Sequence, residues 1–310
     1  RYAANIVDLI DDGNTIPFIA RYRKEMHGAQ SDELLRDFAD RLTYLRNLEK
    51  RKEEIRASVT EQGKWTDELA AALDAAVTMA EAEDIYRPYK QKKKTRAGVA
   101  AEKGLRPLAD LIYAQEDAGE LETLAAGYVD AEKGVDDARA ALSGASDIIA
   151  EYVSDSADVR RVLRDHIMET GVVTSAPAKD APADKLPTYE MYFEYSEPVK
   201  KIPAHRILAL NRGEKEECLK VSVTADEESC LARVGALVLK PNGAYRAFIE
   251  SAIADSFSRL IFPSLEREVR SDLTERAEES AIKAFENNLR PLLMRPKAPK
   301  AGRRVLLEKI

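Results

Sequence analysis

Hydrophobic positions in the first half of the chain recur at steps of three and four, the spacing that gathers side chains on one side of an α-helix. Leu34, Phe38, Leu42, Leu45, Leu48, Ile55 and Val59 make such a stripe. It opens at Ser31-Asp32-Glu33, where a hydroxyl can cap unpaired backbone N–H groups and two carboxylates face the positive end of the helix dipole. Gly63 closes it. Thr66-Asp67-Glu68-Leu69 repeats that opening, and Leu69, Leu73, Ala76, Val77 and Ala80 continue on a helical period. The echo reads as shared capping chemistry, because the Trp, Gly and Tyr signature of a helical repeat of similar length is missing. Pro107 suits the first turn of another helix, with Leu108, Leu111 and Ile112 inside. Shorter helices are predicted over 121–129, 135–142, 147–152 and 158–170, and alternating small helices and turns imply stacked hairpins.

The pattern changes after residue 174. The stretch 175–187 carries Pro177, Pro182 and Pro187 with no apolar period and reads as an exposed linker. Beyond it Tyr189, Met191, Phe193 and Tyr195 alternate with Glu190, Tyr192 and Glu194, and Leu219, Val221 and Val223 alternate with polar residues, which predicts two short strands. Between them a helix over 204–211 is expected to close at Gly213. Phe248, Ala252, Ile253, Phe257 and Leu260 predict a helix, and Pro263 can open the next. Leu265, Val269, Leu273, Ala277, Ala281, Phe285 and Leu289 form a four-residue ladder expected to end where Pro291 removes a donor. Val305–Leu307 looks like the start of a strand. The expected class is mainly α, with a few short strands after residue 188. The expected organisation is a helical domain over 1–174, a linker over 175–187, a mixed and mostly helical domain over 188–302, and the start of a further domain over 303–310.

Composition narrows the function classes. The chain has 310 residues and a formal net charge of −7, so a globally basic nucleic-acid wrapper is excluded while a local basic patch is not. No long uninterrupted apolar run and no signal-peptide pattern is seen at the first residues, which disfavours a membrane span or secretion and leaves a cytoplasmic location as the expectation. Cys218 and Cys230 are the only cysteines, and with three histidines there is little to build a Cys/His zinc site; neither metal nor cofactor is expected. The charge is unevenly spread. From Arg87 to Arg106 eight basic residues face one acid, whereas from Ala114 to Thr170 fourteen acids face five bases.

Candidate chemistry concentrates in a few places. Tyr86-Arg87-Pro88-Tyr89-Lys90-Gln91-Lys92-Lys93-Lys94-Thr95-Arg96 mixes cations with two tyrosines. Arg87, Lys90, Lys92, Lys93, Lys94 and Arg96 can displace counterions from phosphates, and a tyrosine ring can stack on an unpaired base. The same cations can instead pair with Glu81, Glu83 and Asp84 just upstream, and residue types alone lean to that internal pairing. Thr15–Glu25 is the densest local pattern. Arg21, Arg23, Lys24 and Glu25 there could hold phosphates, or pair with carboxylates of neighbouring helices, the reading that composition favours. His205 and Arg206 open a short helix before Asn211-Arg212-Gly213-Glu214, but no partner nucleophile or acid stands near His205, so a structural role is expected. His166 shares an apolar stripe with Val159, Val162, Leu163 and Ile167, and His27 is expected in a turn before Gly28. Glu266, Glu268, Glu275, Glu278 and Glu279 follow the outer face of the ladder rather than a metal site. No phosphate-binding glycine loop or nucleophile elbow occurs, and no catalytic constellation is found.

Several strings together resemble the Tex family of bacterial transcription accessory proteins, which are related to a eukaryotic transcription elongation factor and histone chaperone. They are Thr15 to Glu25 (TIPFIARYRKE), Glu83 to Lys90 (EDIYRPYK), Glu102 to Ala109 (EKGLRPLA), His205 to Glu214 (HRILALNRGE), and shorter matches at Ile148 to Glu151, Pro263 to Arg270 and Asn287 to Arg290. Arg87 stands where the family more often has an apolar residue. The resemblance implies a largely helical N-terminal half with a helix-turn-helix-like region, followed in the family by an RNase H-like domain, helix-hairpin-helix elements and an OB-fold RNA-binding domain. The chain is therefore expected to be a fragment that stops where the RNase H-like domain begins. The expected function is a non-enzymatic helical scaffold that contributes to RNA or DNA binding and to contacts with the transcription machinery. The alternative is a protein-interaction module whose acidic 114–170 surface docks a basic partner, with no nucleic-acid contact of its own.

Overall fold

Hydroxyl caps start helices where the sequence places them. Ser31 accepts a hydrogen bond from the Leu34 amide and Thr66 one from the Leu69 amide, both at 3.2 Å. Thr78 and Glu81 form a reciprocal capping box, each satisfying a backbone N–H of the other. The computed structural model describes residues 2–90, 94–182 and 184–293. The expected domain start at 303–310 lies outside the described residues. What is described is mainly α, with one small sheet.

Contacts divide the chain into two units, Arg1–Lys93 with Asp155–Ala157, and Lys94–Ser154 with Asp158–Ile310. The first contains α1 (Tyr2–Asp11), α2 (Ile16–Tyr22), α3 (Lys24–His27), α4 (Asp32–Glu61), α5 (Asp67–Ala75) and α6 (Met79–Tyr86). It has two separate small cores, Ile6, Leu9, Ile19 and Leu35 near one end of α4, and Leu48, Ile55, Val59, Leu69, Leu73, Ala76 and Ala82 near the other. The single stripe expected on α4 is thus split: Leu35 replaces Leu34 inside, and Leu34 and Leu45 are exposed. Lys52 lies buried on the inner face, its ammonium donating to the Asp74 carbonyl at 3.2 Å and pairing with Glu49 at 3.0 Å.

The second unit begins with α7 (Arg96–Glu102), α8 (Arg106–Tyr113) and α9 (Leu121–Ala126), followed by α10 (Ala138–Asp155) and α11 (Ala157–Thr170), whose facing ends join the first unit. Then come β1 (Val172–Pro177), α12 (Leu186–Tyr189), β2 (Tyr195–Pro198), α13 (Ala204–Lys215), β3 (Leu219–Thr224), α14 (Glu227–Val238), α15 (Arg246–Asp255) and α16 (Phe262–Leu293). The strands form an antiparallel sheet in the order β2-β1-β3, with Val173 opposite Glu197 on one side and Val223 on the other.

Four expectations are corrected. The two helices predicted over 135–142 and 147–152 are one, α10, which runs through Gly144. A β-carbon there would stand 2.3 Å from Leu105 Cδ1 and 3.2 Å from Ala100, so the glycine marks close packing rather than a break. The strand predicted over 189–195 is helical at its start: Pro187 sits in the first turn of α12, a tighter turn follows at Glu190–Tyr192, and β2 begins only at Tyr195. Tyr189 and Tyr192, three apart, are buried, while Met191 is 76% exposed. The expected linker at 175–187 overlaps the central strand, because β1 covers Val172–Pro177 and Pro177 stands at its last position. The ladder helix neither starts at Pro263 nor stops at Pro291. A wide π-helical turn, Ser256–Ile261, joins α15 to α16 just before the proline, whose missing N–H and bulky ring disturb the normal bonding pattern, and α16 continues to Leu293.

Gly213 also differs from its expected role, since α13 continues past it to Lys215. Its missing side chain lets β3 approach: a β-carbon would lie 2.5 Å from Leu219 Cδ1 and 3.1 Å from Tyr189. Gly213→Ala is expected to lower stability by about 1–3 kcal/mol through overpacking, although alanine is the better helix former by about 1 kcal/mol. Urea unfolding measures this; an unchanged or raised midpoint would contradict the packing account.

Leu265, Val269, Leu273 and Ala277 of α16 are buried in the core of the second unit. On the neighbouring face Glu268 meets two arginines of α11: Arg160, which is fully buried and also reaches Ser264, and Arg164 at 2.9 Å. Burial alone would push the Glu268 carboxyl up, but the Arg164 hydrogen bond and the charges of Arg160 and Arg164 outweigh it and hold the group below the usual carboxylate range. A carboxyl harder to protonate when folded stabilises the fold fully above its unfolded value, about pH 4.3, and loses that contribution as acidification passes the folded value. Glu268→Gln is therefore expected to cost about 2–3 kcal/mol at neutral pH, below the roughly 3–5 kcal/mol of a fully buried pair because Glu268 keeps some water contact. The gap from the parent chain should close below about pH 4 in thermal melts. A gap that is constant with pH would contradict the ion-pair account.

Candidate nucleic-acid interface

The basic segment leaves the first unit at the end of α6, where Pro88 shapes a tight turn over Arg87–Tyr89. Tyr86 and Tyr89 both pack against the second small core. The Tyr86 hydroxyl lies 3.0 Å from Ser58 Oγ, the Arg51 guanidinium covers its ring at 5.4 Å, and Gln62 donates to the Tyr89 carbonyl at 2.9 Å. Both rings are therefore only partly exposed. Arg87 is half-buried, with its Nε 3.7 Å from Asp155. Lys90 is exposed and has no ion-pair partner among the described residues. Lys92 and Lys93 lie outside the described residues.

Two of the acids named as possible internal partners, Glu81 and Glu83, are engaged elsewhere. Glu81 completes the capping box and accepts from the Val77 amide at 2.7 Å. Glu83 takes the Arg51 Nε at 2.6 Å. Asp84 is buried.

The segment resumes in the second unit. Thr95 caps α7, accepting from the Gly98 amide at 2.9 Å, and the exposed Lys94 and Arg96 flank that cap. They line a cleft of about 460 Å³ with Thr95, Lys103, Ser143 and Asp147. Arg96 also lines a second cleft of about 360 Å³ with Arg139, Ser143, Ser146, Asp147 and Asp255. Lys103 donates to the Gly134 carbonyl at 2.7 Å. Lys94, Arg96 and Arg139 have no ion-pair partner among the described residues.

The acids facing these clefts are again occupied. Arg259 bridges them, meeting Asp147 at 3.0 Å and Asp255 at 2.5 Å. Burial pushes the Asp147 carboxyl up despite the charges of Arg259 and Arg96. Open cations beside hydroxyls, with nearby carboxylates already bridged, suit a phosphate chain.

The remaining named residues divide in two. In α13, Arg206 pairs with Glu197 of β2 at 2.8 Å and lies 5.9 Å from the centre of the Tyr195 ring. Glu214 pairs with Arg270 of α16, and Asn211 donates to Thr274 at 2.9 Å. These contacts bind α13 to the sheet and to α16. His205 and Arg212 are exposed. His166 is half-buried, its Nε2 3.0 Å from Ser229 Oγ, and His27 is fully buried at the end of α3, where Nδ1 accepts the Gln30 amide at 3.0 Å. In α2 and α3, Arg21, Arg23, Lys24 and Glu25 are exposed, and the carboxylate partners expected for the cations are absent among the described residues. The chain breaks helical geometry at Arg23, with φ −126° and ψ 34°, so Arg21 and Glu25 are not on one continuous helix face.

Sequence reasoning missed Arg160 and Arg259. Arg160 carried a signal, since it stands three residues before Leu163 and seven before Ile167 on the buried face. Arg259 carried half of one, since Asp255 stands four residues before it on a helical period, whereas Asp147 is remote in sequence. Among the described residues no group of three or more His, Cys, Asp or Glu could hold a metal ion, and no helix is long and apolar enough to cross a membrane.

A family model described as Tex central region-like matches residues 116–285, more than half of the chain, and one described as Tex-like protein N-terminal domain matches residues 1–60. The chain belongs to the Tex family. The protein YdcI of Bacillus subtilis is 42% identical over 99% of this chain and 42% of its own length. The transcriptional accessory protein Tex of Neisseria gonorrhoeae is 37% identical over 96% of this chain and 39% of its own. A human relative, S1 RNA-binding domain-containing protein 1, is 30% identical over 96% of this chain and 31% of its own. This Tex-family chain thus spans well under half of the length of these relatives.

Proposed function

We infer that this chain is the helical scaffold of a Tex-type transcription accessory protein, non-enzymatic in itself, and that it contributes surfaces to the transcription machinery and phosphate-binding cations to nucleic-acid contact, Lys90 from the first unit and, separately, a ledge of Lys94, Arg96 and Arg139 from the second. The observation that carries the reading is the state of Lys90, Lys94, Arg96 and Arg139. All four are exposed without ion-pair partners among the described residues, in a chain of net charge −7. Lys92 and Lys93 belong to the same run and add to its charge. A relative named as a transcriptional accessory protein and another named for an RNA-binding domain support the partner class. An exposed cation without an internal partner is poised to release counterions from a polyanion.

The test is fluorescence anisotropy with labelled single-stranded RNA and DNA. Joint charge reversal, Lys90→Glu, Lys94→Glu and Arg96→Glu, is expected to weaken binding by about tenfold or more at low salt, with melting unchanged because none of the three is buried. Unaltered affinity in this variant would overturn the reading and favour the protein-interaction alternative.

A further inference from the structure

The motif Thr15–Glu25 builds a second feature that the basic ledge does not use. Ile19, fully buried, anchors α2 to the first small core. One residue before it and three after, Phe18 and Tyr22 turn outward, 36% and 59% exposed. Their i, i+4 spacing stacks the rings at 5.3 Å between centroids, tilted by 45°. The Arg23 guanidinium lies 5.6 Å from the centre of the Phe18 ring. Arg21 and Lys24 stand beside the pair, and with Arg23 they make three exposed cations within four residues, none of them ion-paired among the described residues. The pair adds only a few tenths of a kcal/mol to its own helix, and Glu25 makes no ion pair with the three cations among the described residues.

The geometry points to a single-stranded nucleic-acid contact on α2 and α3, in which a base stacks on the Phe18–Tyr22 pair while Arg21, Arg23 and Lys24 hold the flanking phosphates. Exposed aromatic faces interleaved with cations are what an unpaired base and its backbone require. A duplex buries its base faces and leaves the rings unused. An acidic polypeptide would satisfy the cations, but would stack on the rings only where it carried an aromatic side chain, whereas every unpaired nucleotide brings both a base plane and a phosphate. The inference rests on the proposed function only for the class of partner, since the two sites share no residue.

The test is photo-crosslinking and anisotropy with a 4-thiouridine-containing single-stranded RNA, using the full chain. Crosslinks to residues 15–25 are expected in the parent chain. Phe18→Leu with Tyr22→Leu should weaken binding by about fivefold to a hundredfold and remove those crosslinks, while circular dichroism stays unchanged. The joint reversal at Lys90, Lys94 and Arg96 should leave crosslinks at 15–25 in place. If RNA binds and crosslinks only around 90–96, or if the leucine variant binds as tightly as the parent, this inference is overturned while the proposed function stands. If crosslinks at 15–25 persist and the charge reversal has no effect on affinity, the proposed ledge fails and this site remains. Equal or tighter capture of poly-glutamate, with the same dependence on Phe18 and Tyr22, would overturn the nucleic-acid assignment in favour of an acidic protein partner.

Discussion

In a chain with more acids than bases, the constraint on which everything else depends is which carboxylates are already held. Glu81 is fixed at a helix start, Glu83 by Arg51, Asp147 and Asp255 by Arg259, and Glu268 by Arg160 and Arg164. Each of these engagements satisfies a charge or a backbone group of the fold itself. The cations left over are therefore open by consequence of the architecture. Net charge alone would have suggested a surface that repels polyanions, yet the described surface carries local cationic ledges because the acids near them are occupied.

In the second unit the open cations sit on packed helices or at their edges. There α10 packs tightly against α7 and α8 at Gly144, and Arg259 ties α10 to the π-helical turn that leads into α16. Lys94, Arg96 and Arg139 project from α7 and α10 or their edges, so their backbones are set by packed helices rather than by loose loops. In the first unit Ile19 plays the corresponding part for Phe18 and Tyr22. Placing contact residues on anchored elements reduces the ordering cost of binding a flexible strand.

Much of this was legible in the sequence. The hydroxyl caps at Ser31 and Thr66, the helices that follow them, the β3 strand and the buried half of the α16 ladder all follow from local pattern, because local chemistry decides them. The Tex membership was legible from long strings. What was not legible depends on partners distant in the chain. Gly213 looks like a stop until Leu219 is seen against it, and the segments 135–142 and 147–152 look separate until Gly144 is seen packed on Leu105. β1 is short and runs into Pro177, so only its two neighbours identify it as a central strand. The partial burial of Tyr86 and Tyr89 shows only once their packing on the core under α4 is known, whereas Phe18 and Tyr22, hidden in a motif that suggested ion pairs, are the rings that face water.

The most direct measurement of the central claim is the ionic-strength dependence of single-strand binding by the intact chain. If Lys90, Lys94, Arg96 and Arg139 each neutralise a phosphate, log affinity should fall linearly with log salt at a slope of about −3 or steeper, at least a roughly fiftyfold loss for a fourfold increase in salt. A response that is flat with salt would contradict the account.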